Sequence, residues 1–467
     1  MTIQDKAVDE ALEPGIVGKG RWIEHWESEN DTFWEAKGKA IAFRNLVFSI
    51  IAEHIGFSVW LLWSIVVVKM YGTFDAESGA LVTAGANGWA LTASEGLTLL
   101  AVASGVGAFL RVPYTFAVPM FGGRNWTVIS ALLLLVPTLG LAWVVGRPET
   151  SFGVLVAIAA TAGFGGGNFA SSMANITFFY PDKEKGWALG LNAAGGNIGV
   201  AAAQKLVPFV IGLGGIGLAM AGLVYVPLVL AAAILAFLFM DNLREAKADP
   251  KPTARSLTHG HTWLMSFLYI GTFGSFIGYS AAFPTLLKVV FERGDIALGW
   301  GFLGALVGSI SRPYGGRLAD RFGGSFITLV SFIVMAGAGW AAVIGVQQKN
   351  LVIFFVSFML LFVFTGIGNG STYRMIPSIF TRMRAVHMDD SAEASLDYRR
   401  QSAGAVGIIS AIGAFGGFAI PFVYMWSREA FDGSIVPALQ IYIGVFLLMA
   451  ALTWVFYLRP GATMRNV

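Results

Sequence analysis

The chain has 467 residues, 56% of them hydrophobic and only 13% charged, and its mean hydropathy is +0.68. A soluble domain carries about 25% charged residues, so these values exclude one and predict a polytopic membrane protein. A net charge of +3 from dispersed basic residues argues against nucleic-acid binding, and the absence of cysteine rules out disulfides, thiolate metal sites and cysteine nucleophiles.

Residues 1–40 are polar, carry charges of both signs and lack the short apolar core of a removable signal peptide, so they are expected as a cytoplasmic segment. Trp22, Trp26, Phe33 and Trp34 leave two readings open there, an amphipathic stretch on the membrane surface or aromatics packed on a soluble collar. Apolar stretches long enough to cross about 30 Å of hydrocarbon follow near 42–70, 90–120, 125–146, 151–179, 186–212 and 217–240. The series recurs near 260–290, 297–320, 325–346, 350–381, 400–426 and 435–458. The expected fold is therefore all-α, with twelve transmembrane helices in two six-helix bundles, 41–240 and 260–458. Between them lies a polar linker, 241–259, and a tail, 459–467, follows. Residues 382–400 are expected as a second polar loop. Lys and Arg concentrate in the connections on the side of the amino terminus, leaving chiefly Lys69, Arg147, Lys205, Lys288, Arg293, Lys349 and Arg428 for the other. Both termini are therefore expected to be cytoplasmic.

Two stretches repeat one another. Arg111 and Arg312 each end a long apolar run, and each is followed twelve residues later by the second glycine of a Phe-Gly-Gly. They lie 201 positions apart, the separation that also relates Gly165, Gly167 and Asn168 to Gly366, Gly368 and Asn369. This is the mark of an internal duplication. Arginine within a membrane helix costs roughly 2.5–3.5 kcal/mol on insertion scales, so it normally faces the bundle interior and marks a pathway. Neither arginine has an evident acidic partner in its own helix. The alternatives are snorkelling to the interface or pairing with a carboxylate elsewhere. Two matched interior cations point to a small anion as ligand.

Two six-helix halves carrying Gly316-Arg-Leu-Ala-Asp320-Arg-Phe-Gly-Gly324 between the second and third helices of the second half resemble the major facilitator superfamily. The first-half copy is degraded, with Pro119 where Asp320 stands; Asp320 with Arg317 or Arg321 is expected to form an intracellular latch. Gly163-Phe-Gly-Gly-Gly-Asn-Phe-Ala-Ser-Ser-Met-Ala-Asn-Ile-Thr-Phe-Phe-Tyr-Pro181 resembles the signature of the nitrate/nitrite porter family, and Gly366-Ile-Gly-Asn-Gly-Ser-Thr-Tyr373 its second copy. Gly107-Ala-Phe-Leu-Arg-Val-Pro-Tyr114, Gly186-Trp-Ala-Leu-Gly-Leu-Asn192 and Gly271-Thr-Phe-Gly-Ser-Phe-Ile-Gly-Tyr-Ser280 are further matches.

The resemblance implies a secondary transporter of nitrate and nitrite in a bacterial cytoplasmic membrane, expected to be monomeric and to need no cofactor or metal. It implies that Arg111 and Arg312 hold the anion, that Tyr269 donates a hydrogen bond, and that Phe57, Phe169, Phe273 and Tyr373 sandwich the substrate. Tyr373 departs from the phenylalanine expected there. A planar, permanently charged guanidinium suits a flat, singly charged, weakly basic anion. Asn175, like Asn168 and Asn369, either bonds across helices or reaches the anion. Gly165, Gly167, Gly366 and Gly368 either only pack helices or also let them slide as the halves rock.

A doubly positive empty site resists reorientation until an anion binds, which favours obligatory nitrate/nitrite exchange. Glu53 and His54, halfway along the first helix, keep nitrate/proton symport as the alternative, unless Glu53 merely neutralises an arginine. Arg374 is an extra cation expected to face the cytoplasmic vestibule. An enzyme is not expected. His259 and His261 have no third ligand nearby, Gly163-Phe-Gly-Gly-Gly follows no strand and so is no dinucleotide fingerprint, and no signalling domain is attached.

Overall fold

The computed structural model describes residues 16–17, 20–75, 78–213, 217–244, 246, 250–386 and 392–467. Among these, twelve helices are long and apolar enough to cross a membrane: α1 Asp31–Met70, α2 Ala93–Phe121, α3 Gly123–Val144, α4 Phe152–Phe179, α5 Asp182–Gly212, α6 Gly217–Phe239, α7 Gly260–Phe291, α8 Gly294–Phe322, α9 Gly324–Gln347, α10 Leu351–Val386, α11 Asp397–Ala430 and α12 Val436–Tyr457. Local chemistry sets the ends. A Thr92–Glu95 capping box starts α2, satisfying donors that the first turn would leave bare. The repeated Phe-Gly-Gly explains itself at the α2–α3 and α8–α9 corners. Gly122 and Gly323 turn the chain at φ +86° and +91°, values that L side chains avoid. A Cβ on the next glycine would lie 1.8 Å from Asn175 Oδ1 at Gly123 and 2.6 Å from Met375 Cγ at Gly324.

In the first half α1 packs on α4 and α5, α2 on α4, and α3 on α6; in the second α8 and α9 pack on α10, and α9 on α12. The halves meet where α2 lies on α11, α5 on α8, and α1 on α7. At the end away from the termini this joint is buried. Tyr71 and Thr285 share a hydrogen bond of 3.1 Å, and Gln204 Nε2 donates to Ser64 Oγ at 3.0 Å and to the Ser280 carbonyl at 2.7 Å. At the other end Arg399 Nη1 reaches Asp182 Oδ2 at 2.7 Å, an exposed pair that contributes little.

The aromatic amino-terminal segment forms a collar and is not laid out as a surface helix. Trp26, Phe33 and Trp34 are buried against Ile176, Phe179 and Tyr180 at the end of α4. Trp26 Nε1 donates to the Phe179 carbonyl at 3.1 Å and Trp34 Nε1 to Glu184 Oε1 at 2.9 Å. Strand β1 (Ile16–Val17) pairs antiparallel with β2 (Trp22–Ile23), which pairs parallel with β3 (Asn242–Leu243) from the linker. Asp241, fully buried, accepts from Arg21 Nε at 2.8 Å, Arg44 Nη2 at 2.6 Å and Asn45 Nδ2 at 2.9 Å.

Three expectations change. The polar stretch 382–400 is mostly helix, since α10 runs to Val386 and helix resumes at Ala392; only 387–391 lie outside the described residues. Arg382, Arg384, Asp397, Arg399 and Arg400 lie on helices that extend past the apolar span, so composition alone misplaces the ends. Part of the linker is likewise structured, as a short helix, Pro250–Ser256, packed near Gly404. The Asp320 partner is also different. Arg317 lies over the Tyr314 ring and Arg321 over the Phe322 ring, whereas Asp320 takes Arg374 Nε at 2.6 Å. Arg374 thus joins α10 to α8 through an ion pair that is over half exposed.

Replacing Asp241 with Ala strips two arginines of a buried carboxylate. The expected loss is about 3 kcal/mol, read as a lower unfolding temperature in detergent together with new trypsin cleavage at Arg21.

Candidate anion site

Backbone irregularity positions the central side chains. Helix α7 opens into a π turn over Ile270–Gly274, directly after Tyr269 and containing Phe273; such turns accommodate an extra residue per turn and recur where side chains must be re-aimed. Proline follows Arg111 by two positions in α2 and follows Arg312 directly in α8, removing a ladder hydrogen bond beside each cation.

The predicted aromatics form one row across both halves. Phe57 meets Phe169 at a centroid distance of 5.9 Å, Phe169 stacks on Phe273 at 5.8 Å and 26°, Phe273 stacks on Tyr269 at 5.4 Å and 19°, and Tyr269 meets Tyr373 at 6.3 Å. Arg111 is wholly buried, with its guanidinium carbon 4.3 Å from the Phe169 centroid and 4.8 Å from that of Phe273. Arg312 is 5% exposed and lies 5.7 Å from the Tyr373 ring. Phe169, Phe273 and Tyr269 stack in sequence, with the Arg111 guanidinium near the first two, while Phe57 and Tyr373 meet the row at its ends at 62° and 44°. The negative ring faces stabilise cations held away from water.

Neither arginine has a carboxylate within ion-pair distance among the described residues. Arg111 Nη1 donates to Ser410 Oγ at 2.8 Å and to the Ser410 carbonyl at 3.3 Å. Arg111 Nε and Nη2 and Arg312 Nη1 are buried with no partner among the described residues, and the Tyr269 hydroxyl lies beside Arg312 without good hydrogen-bond geometry to it. Buried donors are rarely left so, because each unmade bond costs about 1–3 kcal/mol. Arg111 lies over Phe273, which stacks on Tyr269, and Tyr269 meets Tyr373 beside Arg312, so the three groups share one aromatic row. A small anion answers that arrangement.

The remaining candidates fall in two groups. Glu53 belongs to the same electrostatic neighbourhood, coupled to Arg111 and Arg312 yet paired with neither. It is wholly buried, receives Asn192 Nδ2 at 2.8 Å on Oε2, and has an unpartnered Oε1. Outside the centre lie His54, whose Nδ1 lies 3.0 Å from the Gly195 carbonyl, and Asn175. Asn175 sits six residues, about 9 Å of helix, beyond Phe169 and packs on Gly123 at the α2–α3 corner. Its Oδ1 side takes up that packing, and its Nδ2 is buried with no partner among the described residues. Gly165 and Gly366 are places of backbone contact: a Cβ would lie 2.1 Å from the Gly56 carbonyl oxygen and 2.2 Å from that of Gly308. Gly167 leaves room for the Tyr114 ring and Gly368 for Thr272.

Sequence reasoning missed Ser410, a lone hydroxyl in an apolar stretch with no motif around it. It also missed Trp60, whose ring lies 5.5 Å from the Arg111 guanidinium. The signal for Trp60 was available in its spacing, three residues after Phe57, and in Gly107 and Gly166, where a Cβ would collide with the indole at 2.3 and 2.6 Å.

Comparison with known proteins sets this geometry in a family. A family model of the Major Facilitator Superfamily matches residues 47–421. The nitrate/nitrite transporter NarU of Escherichia coli (strain K12) is 38% identical over 460 residues, covering 94% of this chain and 96% of that protein. The probable nitrate/nitrite antiporter NarK2 of Thermus thermophilus is 32% identical over 474 residues, covering 95% and 98%. A D-xylose–proton symporter structure superposes with TM-score 0.66 over 91% of this chain and 100% of that one, at 15% identity. The partially occluded inward-open xylose transporter XylE from E. coli gives 0.61 over 89% and 98%, at 14%. At such identities the likeness to the two structures is one of fold.

Gly366→Ala would place a methyl 2.0 Å from Ser311 Oγ, next to Arg312. Helices α8 and α10 must then part, for an expected cost of about 1–3 kcal/mol, checked by the unfolding temperature of the purified variant. Gly316→Ala, where nothing lies within 4 Å, serves as the neutral control.

Proposed function

The chain belongs to the nitrate/nitrite porter family of the major facilitator superfamily, and from that membership we propose that it exchanges nitrate for nitrite across a bacterial cytoplasmic membrane by alternating access. The observation that carries this reading is the pair of buried guanidiniums, one per half, with donors unspent and no carboxylate bound. A flat monoanion accepts the coplanar N–H groups of Arg111 and Arg312 and the Tyr269 hydroxyl, while the ring row keeps the cations dry. Because each half contributes one arginine, a bound anion ties the bundles 41–240 and 260–458 together at their joint. Those bundles then rock about the occupied site, exposing it to either side in turn. With the anion gone, two cations repel one another in a poorly solvated place, and the empty carrier turns over slowly.

A second reading, symport of nitrate with protons, draws on the burial of Glu53 in the same neighbourhood. His54 gives it less support, being placed against the Gly195 carbonyl. An imposed pH gradient that drives nitrate accumulation into vesicles empty of anions would favour it.

Counterflow in proteoliposomes at acidic pH tests exchange: labelled nitrate should enter quickly when nitrite is inside and slowly when the lumen holds no transported anion. Equal uptake in both conditions refutes obligatory exchange. Arg111→Lys and Arg312→Lys keep the charge but lose the planar fork, so each should weaken nitrate binding about 10- to 100-fold, the equivalent of about 1.5–3 kcal/mol. Binding can be followed by the nitrate concentration that half-protects the purified protein against thermal unfolding.

A further inference from the structure

Glu53 changes the charge arithmetic of the anion site. It is a carboxylic acid with no exposed surface, no ion pair and one oxygen without a partner, and it acts electrostatically on Arg111 from α2, Arg312 from α8 and Tyr373 from α10. The other groups near it are uncharged: Asn192 of α5 donates to Oε2, and Ser172 of α4, itself bonded to Ser49, accepts from the same amide. On its own helix His54 is placed against the Gly195 carbonyl. Space for the carboxyl is built in, since a Cβ on Gly196 would lie 2.3 Å from Oε1. Glu53 precedes Phe57 by four residues as Tyr269 precedes Phe273, and Ser64 follows Phe57 by seven as Ser280 follows Phe273. Gln204 bridges those two serines. Glu53 thus has the same spacing to a phenylalanine and a serine in α1 that Tyr269 has in α7, at an offset of 216 where the arginines are 201 apart.

We propose that Glu53 is a titratable counter-ion built into the anion site, whose charge decides whether the carrier can return empty. The proposal rests on the exchange reading of the same site. With the carboxylate ionised, the empty site carries one net positive charge and the nitrate-loaded site none. With it protonated, the empty site carries two and the loaded site one. Reorientation of a dry site becomes costlier as its uncompensated charge grows. The loaded carrier passes in either protonation state, so exchange persists throughout. The empty carrier returns readily only while Glu53 is ionised, and only then does nitrate move without a counter-anion. Acidification thus confines the protein to exchange, and alkalinisation releases net flux.

The full-length protein in nitrate-loaded proteoliposomes tests this, with the membrane potential clamped by potassium and valinomycin and the same pH on both sides. Efflux into anion-free medium reports net flux; efflux into nitrite reports exchange. For the wild type we expect net flux at alkaline pH that is lost at acidic pH, with exchange retained at both. Glu53→Gln should lose net flux at either pH, and Glu53→Asp should keep the switch. Net flux that is absent at alkaline pH, indifferent to pH, or intact in Glu53→Gln overturns the proposal. Net flux that rises as the pH falls overturns it in favour of proton symport. If Glu53→Gln loses exchange too, the wild-type profile and Glu53→Asp decide by the same criteria. Wild-type protein without exchange refutes the exchange reading itself, a separate failure.

Discussion

Two guanidinium charges held out of water, with no carboxylate in ion-pair distance among the described residues, are the constraint to which the centre of this molecule is fitted. Burying even one ion is costly, and burying two of the same sign adds repulsion. The protein offsets this with aromatic faces. Arg111 lies against Phe169, Phe273 and Trp60, and Arg312 against Tyr373, so ring quadrupoles replace part of the lost hydration. Only one donor group of Arg111 is used, on Ser410 of the opposite half. Its Nε and Nη2 have no partner among the described residues.

The glycine signatures follow from the same demand. Rings and guanidiniums of this size fit between helices only if the helices supply almost no side-chain volume beside them. Gly107 and Gly166 clear space for Trp60, Gly167 for Tyr114 and Gly196 for Glu53. Gly165 and Gly366 go further and bring backbone onto backbone at equivalent places in the two halves. The close approach lets short polar side chains such as Ser172 and Asn192 bond across the helix interfaces.

Fold and cations were legible in the sequence because both are written locally. An apolar run long enough to cross a bilayer declares itself, and a duplicated Arg followed by Phe-Gly-Gly needs no partner to be recognised. Helix ends were less legible, since a helix that continues past the membrane changes composition without changing conformation, as at Arg382–Val386. Long-range partners were the hardest. Asp320 belongs to Arg374 and not to the arginines beside it, and Asn175 belongs to Gly123, because helix packing decides between neighbours that spacing makes equivalent. The collar is the same case: four aromatics fit a membrane surface or a protein surface equally well until the end of α4 shows what covers Trp26, Phe33 and Trp34.

The pairing of β2 with β3 also orders the assembly of the chain in time. Trp22 finds its partner Asn242, and Arg21 its partner Asp241, 220 positions downstream. At about 5–20 residues synthesised per second, the amino-terminal segment waits about 10–45 s on the ribosome before its partner exists. The buckle fastens only once all six helices of the first bundle have been made. The first bundle is therefore closed on its own terms while the second is still unwritten.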